Sequence, residues 1–155
     1  MRNVHYVFLS VLLTNLSCSL TSREICEKES NLLTKIASEY DVRDLTKYDA
    51  VILTYADGCD ACIKKTRDFI VTNIKDDKLL FVACARSQKE LNIDFPFSVR
   101  RQQNFIHDKE LLALQHITTY PMIFYLNAGT VVGYDEITFS TADEILGRLT
   151  TTKSY

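Results

Sequence analysis

The sequence predicts an α/β fold with a mixed central sheet flanked by helices on both faces. Three observations carry that prediction. Short apolar runs at 49–56 and 78–85 alternate with stretches of helical periodicity, the pattern of parallel strands joined by crossover helices. A turn signal, Asn127-Ala128-Gly129-Thr130, joins two more apolar segments tightly enough to demand antiparallel pairing. The chain has 155 residues, 46% of them apolar, which is enough to build one domain around one core.

The elements follow in order. In residues 22–40 the apolar positions are Ile25, Leu32, Leu33, Ile36 and Tyr40, and from Leu32 their spacing predicts an amphipathic helix. "DAVILTYA", 49–56, is an unbroken apolar run rich in β-favouring residues and predicts a buried strand, ended by Asp57-Gly58. From Cys59 onward Ile63, Phe69, Ile70 and Ile74 fall on one helical side. Lys64, Lys65, Arg67 and Asp68 lie mostly on the other, which reads as a solvated face. "KLLFVACA", 78–85, is a second buried strand. Residues 86–101 hold a short helix and an irregular connection broken at Pro96, and 104–108 a short strand. "DKELLALQHI", 108–117, predicts a helix with Asp108 as its N-cap. Strands at 122–126 and 131–137 form the hairpin. A closing helix over 140–150 takes Ser140 or Thr141 as its cap and turns Ile145, Leu146 and Leu149 to the core. Tyr40, Tyr55, Phe81, Phe124 and Tyr125 read as core or core-edge aromatics.

Composition excludes some classes of partner. One quarter of the residues are charged and the formal net charge is −2, with no block of like charge, so nothing suggests a nucleic-acid surface or a charged tail. The first residues differ from the rest. "MRNVHYVFLSVLLTNLSCS" has the basic start, short apolar stretch and small residues of a secretory signal. Cleavage after Ser19 uses Ser17 and Ser19 as the small residues. "TNLSC" also resembles a bacterial lipobox, which makes Cys18 the lipidated first residue of the mature chain. The expected organisation is a signal peptide over 1–19, an N-terminal helical segment over 20–44 and the main domain over 45–155. The expected location is outside the cytoplasm, in the periplasm or cell envelope, with or without a lipid anchor.

Export bears on the cysteines, because disulfides persist outside the cytosol. Cys59 and Cys62 stand two residues apart at the start of a helix. A redox pair, half of a metal site and a structural disulfide are the three readings. A bond one turn apart closes too small a loop to constrain the unfolded chain much. A structural zinc needs about four ligands, and there is no second Cys-x-x-Cys and no Cys/His cluster. His107 and His116 are too isolated to nominate and read as surface or internally satisfied residues. Cys84 reads as a small apolar core residue, with a third redox thiol or a partner for Cys26 as alternatives.

Cys-x-x-Cys opening a helix after a buried strand reads as a thioredoxin-like redox motif. Tyr120-Pro121 follows about sixty residues downstream, directly before the hairpin and closing helix. On "YADGCDAC" at 55–62 and "ITTYPMIFYLNAGTVVGY" at 117–134, the chain resembles the thioredoxin superfamily over roughly residues 45–150. The resemblance implies a thioredoxin-like fold and a thiol-disulfide oxidoreductase acting on protein substrates. Cys59 would be the nucleophile and Cys62 the resolving thiol, alternating with a Cys59–Cys62 disulfide. Pro121 would be a cis-proline beside them, and the backbone of Tyr120 would pair with an extended substrate. No organic cofactor is needed, and a redox partner must recharge the pair.

Departures from the family pattern qualify this. Gly58 and Tyr55 stand where Trp is common, and Leu53 stands where many thioredoxins carry a buried acid. Asp57 and Asp60 flank Cys59 and oppose the helix dipole, which implies a less acidic thiol and a comparatively reducing couple. Two other functional classes stay open: a thioredoxin-fold binding module with little redox turnover, and a maturation factor that delivers copper through the cysteine pair.

Overall fold

The computed structural model describes residues 27–55, 58–115 and 119–151, the side chains of Gln115 and Thr151 excepted. The predicted export signal, Cys18, Cys26, Asp57 and His116 lie outside these residues.

Five strands form one sheet in the order β3-β2-β1-β4-β5. β1 is Ala50–Tyr55, β2 Leu79–Cys84, β3 Phe105–Asp108, β4 Met122–Asn127 and β5 Thr130–Glu136. β1, β2 and β3 run parallel, whereas β4 pairs antiparallel with β1 and β5 antiparallel with β4. β1 and β2 are buried at every position, which is why their sequences are continuous apolar runs and do not alternate. β5 closes an edge and alternates more nearly, with exposed residues between inward ones.

Helices cover both faces. α1, residues 27–39, buries Leu32, Leu33 and Ile36 against Val51, Leu53, Val82 and Phe124 on one face. It stops where Asp41 takes φ 51°, with Val42 N–H donating to the Ala37 carbonyl. α2, Asp60–Asn73, and α5, Ala142–Thr151, lie on the other face with α3, Gln88–Asp94, and α4, Phe97–Arg100. Their Ile70, Leu91, Val99, Ile145 and Leu146 pack on Ile52, Phe81 and Ile123. The mixed sheet with helices on both faces is as the sequence predicts. The hairpin is also as predicted: Ala128 and Gly129 at φ 49° and 78° give the two positive values that a two-residue turn joining twisted strands requires.

The region 86–117 departs most from the sequence reading. Its first part supplies α3, α4 and the edge strand β3, held by Asn104. The Asn104 side-chain amide donates to the carbonyls of Ile74, Asp76 and Leu79 at 3.1, 2.8 and 3.0 Å. The helix expected over 108–117 is absent among its described residues, where only a 3₁₀ turn forms at Ala113–Gln115. Leu111 sits at φ 57°, which no continuing α-helix tolerates. Asp108 ends β3 fully buried and caps no α-helix. At the C-terminal helix, Thr141 stands before Ala142 as expected, yet its hydroxyl turns back into the loop, accepting from Thr138 N–H at 3.1 Å.

Candidate functional site

The site forms where β1 ends. Parallel strands deliver their C-terminal ends to one edge of the sheet, and β1 is central, so the chain leaving it starts α2 in the middle of that edge. Cys59 is the residue before α2, in an extended conformation, and its carbonyl accepts from the N–H groups of Cys62 and Ile63 at 2.9 Å each. Cys59 is half-buried and Cys62 fully buried. The two are joined by a disulfide across a Cα separation of 5.3 Å.

The arrangement fixes which sulfur meets a partner. Only Cys59 reaches the surface. It also sits nearest the free N–H groups and positive end of α2, which favour a thiolate. Cys62 lies one turn inside, next to Thr66, whose hydroxyl donates to the Cys62 carbonyl at 2.9 Å. Asp60, exposed in the first turn, adds negative charge beside Cys59.

The approach to the disulfide is set by Gly58, at φ 149°. A Cβ there would fall against the Tyr55 hydroxyl and 2.7 Å from the Thr119 carbonyl oxygen. The absence of a Trp before Cys59 is therefore steric: no side chain fits between β1 and the 119–121 segment. Cys59 N–H donates to the Thr119 carbonyl at 3.3 Å, which joins the cysteine turn directly to the residues before β4. Tyr120 is half-buried and Pro121 buried. Thr119, the residue before Tyr120-Pro121, is thus the one joined to the cysteine turn. The cis-proline expectation is corrected, because the Tyr120–Pro121 peptide is trans. Trans is the intrinsically favoured isomer of an X-Pro bond, by about 0.5–1 kcal/mol.

Sequence reasoning missed a buried acid. Leu53 is apolar core as predicted, but a carboxylate lies on the same sheet face two strands away. Tyr55, Cys84 and Asp108 stand in register at the ends of β1, β2 and β3. Asp108 accepts from the Cys84 thiol at 3.1 Å, the Tyr40 hydroxyl at 2.8 Å and the Ala113 N–H at 2.8 Å. Cys84 is buried with a free thiol that donates to Asp108, so it is more than an apolar filler, while its suggested partner Cys26 lies outside the described residues. Burial, and then the Asp108 charge, push its thiol well above the ordinary range. In the sequence Asp108 reads only as a strand-ending acid or a helix N-cap, since two of its three donors, Tyr40 and Cys84, come from elements distant in sequence. His107 is internally satisfied, its Nε2 lying 2.9 Å from the Ala85 carbonyl.

The cations of α2 are not all solvated. Lys65 pairs with Asp143 of α5 at 2.7 Å and Arg67 with Asp94 of α3 at 2.7 Å, so both tie α2 to its neighbours. Among the described residues no group of three His, Cys, Asp or Glu could hold a metal ion. A depression of about 890 Å³ between Asp49, Lys75, Tyr125 and Arg148 opens near the start of β1, and neither cysteine of the disulfide lines it.

A central parallel strand runs into a disulfide-bearing helix start, an X-Pro before an antiparallel strand lies against it, and a hairpin and helix close the chain. The fold is thioredoxin-like. No family model matches the chain, and no curated protein matches it. Similar solved structures include a thioredoxin-like protein from Bacteroides caccae, at 20% identity and TM-score 0.39 over 66% of this chain. This chain spans 41% of that protein's length. A secreted Mycobacterium tuberculosis disulfide oxidoreductase homologous to E. coli DsbE is similar at 15% identity and TM-score 0.42, with 68% of this chain and 84% of that one covered. The peroxidoxin BcpB of the same organism is similar at 17% identity and TM-score 0.42, covering 71% of this chain and 84% of its own. No helix among the described residues is long and apolar enough to cross a membrane.

Proposed function

We propose that the protein is a thiol-disulfide oxidoreductase that acts on protein substrates outside the cytoplasm through Cys59 and Cys62, on the reducing side. One observation carries the reading: a disulfide at a helix N-terminus with one sulfur half-exposed and the other buried. In the reduced protein the Cys59 thiolate attacks a substrate disulfide, forming a mixed disulfide and expelling one substrate thiolate. Cys62, one turn inside, gives up its proton and attacks the Cys59 sulfur. The Cys59–Cys62 bond forms, the second substrate sulfur leaves as a thiolate, and two electrons have passed to the substrate. In this reading the half-buried Tyr120, beside the cysteine turn, receives the substrate backbone. A redox partner then returns two electrons to the pair.

The reducing direction follows from the charge of Asp60 and, in the sequence, Asp57, which disfavour the Cys59 thiolate and so the reduced form that a strong oxidant stabilises. The test is the reduction potential of the purified protein equilibrated against glutathione, read by thiol alkylation. The expected value lies closer to about −270 mV than to the about −120 mV of a strong oxidant. The couple should disappear in Cys59→Ser. A potential near the oxidant value overturns the direction, and a pair that does not exchange overturns the activity in favour of a binding module.

A further inference from the structure

We propose that the α3–α4 segment is a docking surface for an acidic polypeptide segment of a partner protein, one that sets carboxylates beside an apolar side chain. This surface lies on the region 86–103, away from the disulfide, and it stands independently of the redox reading.

The segment turns two sets of apolar residues in opposite directions. Leu91, Phe95 and Val99 are buried in the core, and Phe95 packs edge-on against Phe105 at 5.0 Å between ring centres. Ile93 and Phe97 point outward, 75% and 63% exposed. The inward set is sufficient to seat the segment, so the outward pair is not needed for folding.

Cations flank Phe97, and one stands on the same helix as Ile93. The guanidinium carbons of Arg100 and Arg101 lie 5.6 and 5.2 Å from the centre of the Phe97 ring. Lys89 stands one helical turn before Ile93 on α3. The acids of the same segment are used internally. Glu90 accepts from Arg86 N–H at 2.9 Å, and Asp94 is held by Arg67 of α2 at 2.7 Å. Among the described residues neither Lys89, Arg100 nor Arg101 has a carboxylate within salt-bridge distance. The surface is therefore cationic and apolar, on a chain whose net charge is −2.

Charge complementarity selects an acidic occupant. The surface is also preorganised. Arg100 Nε donates to the Phe95 carbonyl at 3.0 Å, and both guanidinium groups rest against one ring, so little side-chain freedom remains to be lost on binding. Arginine and aromatic side chains together are the residue types that dominate binding hot spots.

The test uses the full chain in its oxidised form and a fluorescein-labelled twelve-residue peptide alternating glutamate with leucine and phenylalanine. The expected result is saturable, salt-sensitive binding by anisotropy, with amide shift changes confined to residues 89–101. Phe97→Ser and Arg101→Glu, both at exposed positions, should each weaken it about tenfold, as loss of a hot-spot contact does. The Cys59→Ser, Cys62→Ser double variant should bind as the parent does. Four results overturn the proposal: no binding, equal binding by the two surface variants, equal binding of the peptide with lysine in place of glutamate, or shift changes elsewhere on the chain. Co-sedimentation with phosphatidylglycerol vesicles that Arg101→Glu abolishes assigns the surface to lipid and overturns it too. So does a dimer in sedimentation velocity that Arg101→Glu dissociates, which assigns the surface to a second copy.

Discussion

Replacing Gly58 with alanine tests the account of the site most directly. The backbone at Gly58 has φ 149°, which an L side chain occupies only at a cost of roughly 1–3 kcal/mol. The added methyl carbon would also stand 2.7 Å from the Thr119 carbonyl and 2.9 Å from the Tyr55 ring carbon that bears the hydroxyl. The carbonyl is backbone, and the Tyr55 ring is buried in the core, so neither can swing aside as the end of a flexible side chain would. Relief requires the cysteine turn and the 119–121 segment to separate, which weakens the Cys59 N–H bond to Thr119. Overpacking of this kind adds about 1–3 kcal/mol, for a combined loss of about 3 kcal/mol. With a urea slope of about 1–3 kcal/mol per molar, the unfolding midpoint should fall by roughly 1–3 M. Urea unfolding followed by far-UV circular dichroism measures it. The loss should be similar in the oxidised and reduced protein, because the constraint is Tyr55 and Thr119 and not the disulfide. A loss below about 0.5 kcal/mol, the size of an ordinary surface substitution, would show that the two segments do not meet as described.

Further expectations concern the rest of the sheet edge. Asp108→Ala removes the acceptor for Tyr40, Cys84 and Ala113 and strands buried donors, so it should cost about 1–3 kcal/mol by the same urea measurement, and a loss under about 0.5 kcal/mol contradicts the network. The raised Cys84 thiol gives a signed pH dependence. Above the unfolded thiol pKa of about 8.5 the unfolded chain releases a proton that the folded chain keeps, so stability present below that pH declines as pH rises, by up to about 1.4 kcal/mol per unit. Cys84→Ala should flatten this decline, and an unchanged slope between pH 9 and 10 refutes the assignment. In the native oxidised protein at pH 8, iodoacetamide should leave Cys84 unmodified until denaturant is added; mass spectrometry detects the adduct, and rapid native labelling would contradict its burial. Arg67→Met should cost about 1 kcal/mol, because the Arg67–Asp94 pair is about one quarter exposed and solvent screens it.

The parts of this protein that the sequence determines are those in which local pattern and tertiary environment agree. β1 and β2 are buried on both faces, so their apolar runs announce themselves, and Asn127-Ala128-Gly129-Thr130 specifies its own turn through the backbone freedom of those residues. The position of Cys59 and Cys62 at a helix start was legible for a related reason, whereas Tyr120 and Pro121 were nominated through the thioredoxin resemblance. Tertiary structure decided the rest. "DKELLALQHI" has helical periodicity, but Asp108 is drawn into the core by Tyr40 from α1 and Cys84 from β2. Its carboxylate takes the Ala113 N–H, and Leu111 adopts a backbone angle that stops an α-helix. No window of local sequence contains Tyr40 or Cys84 with Asp108. The same holds for Gly58, whose neighbour Thr119 is sixty-one residues away, and for Lys65 and Arg67, whose acids lie on other helices. Periodicity records which side of an element is buried. The identity of the polar atom waiting on that side is set only when distant segments meet, and there one buried carboxyl with three donors overrides the helix propensity of a whole turn.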